Sequence, residues 1–410
     1  MTPYRLVPRH QTPRHQTPQH LAPRELGCLR CAATYPVDDR PEGCPACLSE
    51  GCPASVVPRY DPPAQTGALL AAAWAARPPG VWRYRELLPV AEAVTLAEGG
   101  TPVLALPRLA ARLGLAELWL KDERRNPTGS FKDRFATVAV SRAVAAGART
   151  VAVASSGNGG VAAAAYAARA GLGCVVVAGA TLGASWRAAI ESYGARLEWT
   201  ETSAQRWAVL ADGVARHGWY PLTNYVDPPV GSNWWGVEGY KTLAYELAER
   251  WGWRMPDWVA VPVSRGDGLV GLWRGCAELR QLGLVDRLPR LIAVERYPSL
   301  TRALAGGCGY PRPVEPGAGD PPSRAVSIGN RVGTYAALHT LRASGGIAVA
   351  CDDAAMREMV RAAGAEGVFL ELSSAAGLAG IAAARAGGTI GPDEVVVAVG
   401  TATGLTDPAP

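Results

Sequence analysis

The chain has 410 residues, 48% of them hydrophobic, with 41 basic and 36 acidic side chains. That is enough for two domains and a large buried core, while a net charge of +5 gives no electrostatic case for nucleic acid as a partner. No apolar run approaches the eighteen or so residues that a membrane span needs, so no membrane association is expected.

Residues 1–23 are polar and Pro-rich, repeat "RHQTP", and hold three of the five histidines. They read as a disordered tail. Its histidines could bind metal, but solvated chain is the plainer reading. The segment has no apolar signal core, so the expected compartment is the cytoplasm, where disulfides are not expected. Residues 24–60 carry Cys28-x-x-Cys31 and, twelve residues on, Cys44-x-x-Cys47. Each pair can aim two thiolates at one ion, and two pairs make the tetrahedral sulfur set that zinc prefers. A zinc-ribbon-like segment follows, or a ribbon that keeps its shape without the metal. Cys52 is a spare thiol.

From about residue 100 the pattern alternates. "AELWLKDE", "RTVAVAS", "CVVVAGA", "RLEWTE", "DWVAVPVS", "RLIAVE", "GIAVACD" and "EVVVAVG" read as strands. Between them lie helical stretches such as "SFKDRFATVAVSRAVAAG", which Ser130 is placed to cap, and "GDGLVGLWRGCAELRQLG". Short apolar strands separated by helices imply parallel sheets covered on both faces, an α/β fold with more strands than one small sheet holds. Ligands in such folds bind at the carboxyl ends of strands.

Four loops stand at those ends. "NPTGSFKDR" (126–134) keeps one of only three lysines, the others being Lys121 and Lys241, in a chain that otherwise uses arginine. Lys132 lies in the first turn of a helix, where the dipole disfavours its charge, and Phe131 can desolvate it. Both effects lower its pKa and make the amine more nucleophilic. Arginine cannot form a Schiff base. The alternative is an ordinary helix-start lysine paired with Asp133. "ASSGNGG" (154–160) sets Ser155, Ser156, Gly157 and Asn158 before a helix, fit for a carboxylate or phosphate, or else a Gly-rich packing turn. "PVSRGDGL" is a second anion cradle over Ser264, Arg265, Gly266, Asp267 and Gly268. The Asp267 carboxylate would repel a phosphate, so it must point away or bind Arg265. "VGTATGLTDP" offers Thr401 and Thr403 after the last strand. There is no G-x-x-x-x-G-K-[ST] nucleotide loop. His217 and His339 read as structural, so catalysis would run on lysine or a cofactor.

The run "LKDE…NPTGSFKDR…ASSGNGG…EGYKTLAYE…VPVSRGDG…TATGLTDP" resembles the threonine synthase family of fold-type II pyridoxal-phosphate (PLP) enzymes, in order from about residue 98 to 408. The resemblance implies two doubly wound parallel-sheet domains with PLP in the cleft between them. The large domain would comprise 61–134 and 226–410, the small one 135–225. It implies Lys132 as the Schiff-base lysine and proton shuttle, with Phe131 beside it. Asn158 would lie at the cofactor's phenolic oxygen, residues 264–268 at its phosphate, and Thr401 at its pyridine nitrogen. Ser155, Ser156, Gly157 and Asn158 would cradle the substrate carboxylate. Apart from the resemblance, Lys121 could meet a substrate phosphate or be a surface charge at a strand end. Lys241 reads as an ion-pair partner of Glu238 or Glu246. An arginine that binds substrate phosphate in the family aligns with Gly236, in a longer, Trp-rich loop. The reaction implied is conversion of O-phospho-L-homoserine and water to L-threonine and phosphate, by a homodimer. The alternatives are β-replacement on an activated serine, as in cysteate synthase, and a non-catalytic zinc-ribbon binding protein.

Overall fold

The computed structural model describes residues 21–61, 66–155, 157–180, 182–307, 309–315 and 323–407. Nearly all of the expected tail, and Ser156, lie outside them. Strand β1 (Glu25–Cys28) pairs antiparallel with both β2 (Thr34–Tyr35) and β3 (Val56–Arg59), forming a small sheet that carries the cysteine pairs. Strands β4 (Val103–Ala105) and β5 (Glu117–Asp122) follow. The chain then builds a separate parallel sheet from β6 (Thr150–Ala154), β7 (Gly173–Gly179), β8 (Arg196–Thr200) and β9 (Tyr220–Pro221), in the order β8-β7-β6-β9. It returns with β10 (Trp258–Pro262), β11 (Arg290–Glu295), β12 (Ile347–Ala350) and β13 (Val395–Gly400), giving a six-stranded sheet in the order β12-β11-β10-β13-β5-β4.

The α/β architecture is as expected, with one departure. Edge strand β4 runs antiparallel to β5, so the larger sheet is mixed. An antiparallel neighbour needs no helical crossover on one hand, and a three-residue edge strand carries too little hydrophobic pattern to read from sequence. The central strands are apolar because helices cover both faces: every residue of β10 is buried. Among the described residues no helix is long and apolar enough to cross a membrane.

Helix Lys132–Ala145 lies between β5 and β6 in the chain, and Lys132 begins it. It packs against helices Asn158–Ala170 and Trp234–Val237. The next turn comes close enough that a Cβ on Gly239 would sit 1.8 Å from the Arg134 carbonyl oxygen. The helix is anchored by a buried ionic cluster. Arg134 Nε and Nη2 donate to Glu123 at 2.6 and 2.8 Å, and its Nη1 and Nη2 donate to Glu246 at 2.7 and 2.8 Å. Lys121 completes the cluster: its Nζ donates to Glu246 and to the Thr101 carbonyl, and its side chain is fully buried. Lys241 pairs with Glu238 and Glu278, at 2.9 and 3.0 Å, not with Glu246.

Candidate active site

The loops after β5, β6, β10 and β13 converge on one cavity of about 470 Å³. Lys132 opens onto it. Its Nζ lies 4.8 Å from the centre of the Phe131 ring and 5.9 Å from that of Tyr240, and the two rings are 5.0 Å apart. Burial holds the ammonium below lysine's usual pKa, against the opposing pull of Asp267 and Glu371. A neutral amine is the form that acts as nucleophile or base. Asp133 is not its partner: it closes the turn by accepting from Thr128 N and Oγ1 at 2.8 and 2.6 Å, and burial pushes its own pKa up to about 7. Among the described residues Lys132 has no ion pair. Ser130 does not cap the helix: Phe131 occupies the cap position without a side-chain cap, and Ser130 Oγ accepts only from Lys132 N, at 3.4 Å.

The turn before Lys132 is stitched to the loop after β13. Phe131 N donates to the Thr401 carbonyl at 2.8 Å, and Thr403 N to the Gly129 carbonyl at 3.0 Å. Thr401 thereby lines the cavity with Lys132. On the facing wall, Ser155 Oγ accepts from Gly157 N and Gly160 N at 3.2 and 2.9 Å, so it shapes the loop as well as lining the cavity. Gly157 allows Trp186 to close in, since a Cβ there would lie 2.9 Å from the indole. The Trp186 Nε1–H donates to Asn158 Oδ1 at 2.9 Å, and Asn158 Nδ2 donates to Glu371 at 2.6 Å. Both ends of the amide are therefore assigned, with Nδ2, which carries two N–H donors, on the Glu371 side.

The remaining loop starts helix Asp267–Gln281. Gly266 has φ +96°, and a Cβ there would sit 2.4 Å from Ala337 Cβ. The turn aims the free N–H groups of the helix start at the cavity. Asp267 is turned aside as anticipated, but its partner is Ser232 and not Arg265: Oδ1 accepts from Ser232 N at 3.2 Å and Oδ2 from Ser232 Oγ at 2.7 Å. Ser264 Oγ accepts from Asn330 Nδ2. Buried polar atoms of the cavity lining that lack hydrogen-bond partners among the described residues include Tyr240 Oη, Arg265 Nη1 and Glu371 Oε1. An N–H cradle beside an orphaned tyrosine hydroxyl, in one cavity with a lysine amine, fits a phosphorylated aldehyde cofactor.

Of the sequence candidates, Phe131, Lys132, Ser155, Gly157, Asn158, residues 264–268 and Thr401 all line this cavity. Lys121 does not. Its ammonium is spent on Glu246 and Thr101 in the buried cluster, so it is neither a surface charge nor a substrate ligand. Gly236 lines packed interior: a Cβ there would lie 2.5 Å from the Phe135 ring, so an arginine has no room. Tyr240, Trp207, Arg206, Asn330, Arg331 and Glu371 line the cavity without having been singled out. Only Tyr240 had a local signal, lying in the "EGYKT" stretch already quoted. The cysteines of the small sheet form a second constellation. Cys28, Cys31, Cys44 and Cys47 place their sulfurs within 4.8 Å of one another, and Cys28–Cys47 and Cys31–Cys44 are each 3.6 Å apart.

Residues 94–402 match the family model described as pyridoxal-phosphate dependent enzyme. The chain belongs to that family. Family members at higher identity include the threonine synthase of Methanosarcina acetivorans, 35% identical over 80% of this chain and 81% of that protein. The threonine synthase of Methanocaldococcus jannaschii is 32% identical over 93% of this chain and 92% of that protein. The chain is thus a PLP-dependent enzyme of threonine synthase type. Solved structures resemble it more distantly. O-ureido-L-serine synthase superposes with TM-score 0.61 at 23% identity, over 78% of this chain and 93% of that one. Diaminopropionate ammonia lyase from Escherichia coli gives 0.64 at 20% identity, over 76% and 86%. At those identities the likeness is one of fold.

Proposed function

We propose that the enzyme converts O-phospho-L-homoserine and water to L-threonine and phosphate. The observation that carries this reading is the Lys132 amine, buried beside the Phe131 and Tyr240 rings in a cavity that also offers N–H and guanidinium donors. Bound at this site, PLP would supply an electron sink that acidifies the substrate's Cα–H. Lys132 would hold the cofactor and, once its amine is released, move the Cα proton. The helix start at 266–268 with Tyr240 would hold the cofactor's phosphate, and Asn158, fixed by Trp186, would donate from Nδ2. Thr401 would place a neutral hydroxyl, not a carboxylate, at the ring nitrogen. Ser155 and Gly157 would orient the substrate carboxylate. In this reading 135–225 forms the small domain and 61–134 with 226–410 the large one.

The experiment is a titration of the holoenzyme with O-phospho-L-homoserine and with O-phospho-L-serine, following cofactor absorbance and phosphate release. The first should shift the spectrum and release phosphate with threonine as product. Turnover of O-phospho-L-serine alone would replace this reading by β-replacement on an activated serine, which the missing side chain at Gly236 would favour. A protein that takes up no PLP would overturn both.

The cysteine cluster is the ligand set of a structural zinc in the same reading. Zn–S bonds of about 2.3 Å in a tetrahedron put sulfurs about 3.8 Å apart, close to the 3.6 Å of the two pairs. The small sheet packs on Trp235, whose Nε1–H donates to Asp39 at 2.6 Å. Purified protein should therefore carry about one zinc per chain by elemental analysis. Cys44→Ser should lose it and red-shift the tryptophan fluorescence as the ribbon lifts from Trp235. Full zinc occupancy in Cys44→Ser would count against the assignment.

A further inference from the structure

We propose that Arg265, laid on Trp207, is the residue that receives the anionic leaving group of the substrate, and so selects amino acids activated as phosphate esters. The inference rests on the reading above and names the subsite within it.

The cofactor's phosphate is provided for by backbone N–H groups of the helix start at 266–268, a site that needs no side-chain cation. The Arg265 side chain leaves that turn toward the opposite wall. Its guanidinium carbon lies 4.6 Å from the centre of the Trp207 ring, on helix Ser203–His217. Stacking occupies the face of a guanidinium and leaves its N–H edges free for in-plane contacts. Arg265 has five such donors. One reaches Asn330 Oδ1 at a long 3.4 Å, while Nη1 is buried with no hydrogen-bond partner among the described residues. A buried orphan of that kind is costly unless a ligand completes it.

The surroundings point to an anion. Arg206 and Arg331 line the same cavity, and Arg206 is near enough to weigh on Arg265's charge. Burial draws the Arg265 pKa down to about 10; Asp267, Asp227 and Tyr310 oppose this, and Arg206 adds to it. Of the cavity's carboxylates, Asp267 is held by Ser232, while Glu371 accepts from Asn158 through Oε2 and keeps Oε1 buried without a hydrogen-bond partner among the described residues. Gly236 has no room for a cation of its own. A phosphate dianion would complete the unpaired edge, and arginine's planar fork suits it. Because Trp207 lies on a helix packed on the β6–β9 sheet and Arg265 on the loop after β10 of the larger sheet, a ligand on Arg265 would also bridge the two walls.

The test uses PLP-loaded enzyme titrated with inorganic phosphate by calorimetry, for wild type, Arg265→Ala, Arg265→Lys and Trp207→Ala. In parallel, PLP affinity of the apoenzymes is measured by absorbance. Arg265→Ala should weaken phosphate about ten- to a hundred-fold and raise KM for O-phospho-L-homoserine in step, with kcat and PLP affinity within about three-fold. Arg265→Lys should recover part of the loss, and Trp207→Ala should weaken phosphate about three-fold or more. The proposal is overturned if phosphate binds wild type and Arg265→Ala alike, if wild type binds no phosphate, or if PLP affinity falls with phosphate unchanged, which would place Arg265 on the cofactor. Should Arg265→Ala lose its near-ultraviolet circular dichroism, the lysine and Trp207 variants decide alone. If wild type turns over no O-phospho-L-homoserine yet shows this binding pattern, the subsite stands and the threonine synthase reading falls.

Discussion

Lys132→Ala should bind PLP only reversibly and lose turnover by about 10³-fold or more, since it removes both a covalent anchor and a general base. The fold should survive. The side chain projects into the cavity, it makes no ion pair among the described residues, and the turn that carries it is held by Asp133 on Thr128 and by Phe131 N on the Thr401 carbonyl. The decisive measurement is borohydride treatment followed by peptide mapping. Wild type should retain a pyridoxyl label on the peptide containing residue 132, and the variant should retain none. A label that persists elsewhere in Lys132→Ala would move the anchor to Lys121 or Lys241, the other two lysines of the chain. Both are buried in ion pairs, so that result would also require those clusters to open.

The largest stability effect should come from Glu246→Gln. The wild-type cluster sets two cations, Lys121 and Arg134, against two carboxylates, Glu123 and Glu246, in a site with almost no exposure. Replacing Glu246 by its neutral isostere leaves one buried positive charge uncompensated, which costs about 3–5 kcal/mol. The urea midpoint at pH 7 should fall accordingly, with an unchanged slope. The pH dependence follows from the sign of the shift. Burial works against the Glu246 charge, but Arg134 and Lys121 overcome it and hold the carboxyl below its usual range. Its contribution is therefore full above the unfolded pKa of about 4.3 and is lost as pH falls toward the folded value. The gap between wild type and variant should be widest near neutrality and narrow in acid. An equal gap at every pH would mean that packing, not charge, is what the substitution removes. Arg134 lies two residues from Lys132 on the same helix, so a smaller loss of kcat should accompany the loss of stability.

The features legible in sequence share one physical property: their chemistry is local. Gly129 before Phe131 and Lys132, the serine–glycine run to Asn158, and Gly266 before its helix each mark a strand-to-helix turn with a few contiguous residues. The structure places all three turns around one cavity. The paired C-x-x-C spacing likewise announced four sulfurs that do come together. Alternation of apolar strands with helices made an α/β fold readable, because burial on both faces leaves a continuous apolar run. Edge strand β4 and the two-residue strand β9 escaped, being too short to carry a period.

What stayed hidden depends on partners far away in the chain. Nothing near Lys121 announces that Glu246, 125 residues on, takes its ammonium out of the site. The orientation of Asn158 is set by Trp186 and by Glu371, 213 residues distant. Asp267 finds Ser232 and not its neighbour Arg265, because the loop at 231–232 folds over it, and this frees the guanidinium to lie on Trp207. Turn propensity, helix dipoles and metal-ligand spacing act over a few residues and so can be read along the chain. Which charge is paired, and which is left facing the cavity, is decided only when packing brings separate segments within about 3 Å of one another.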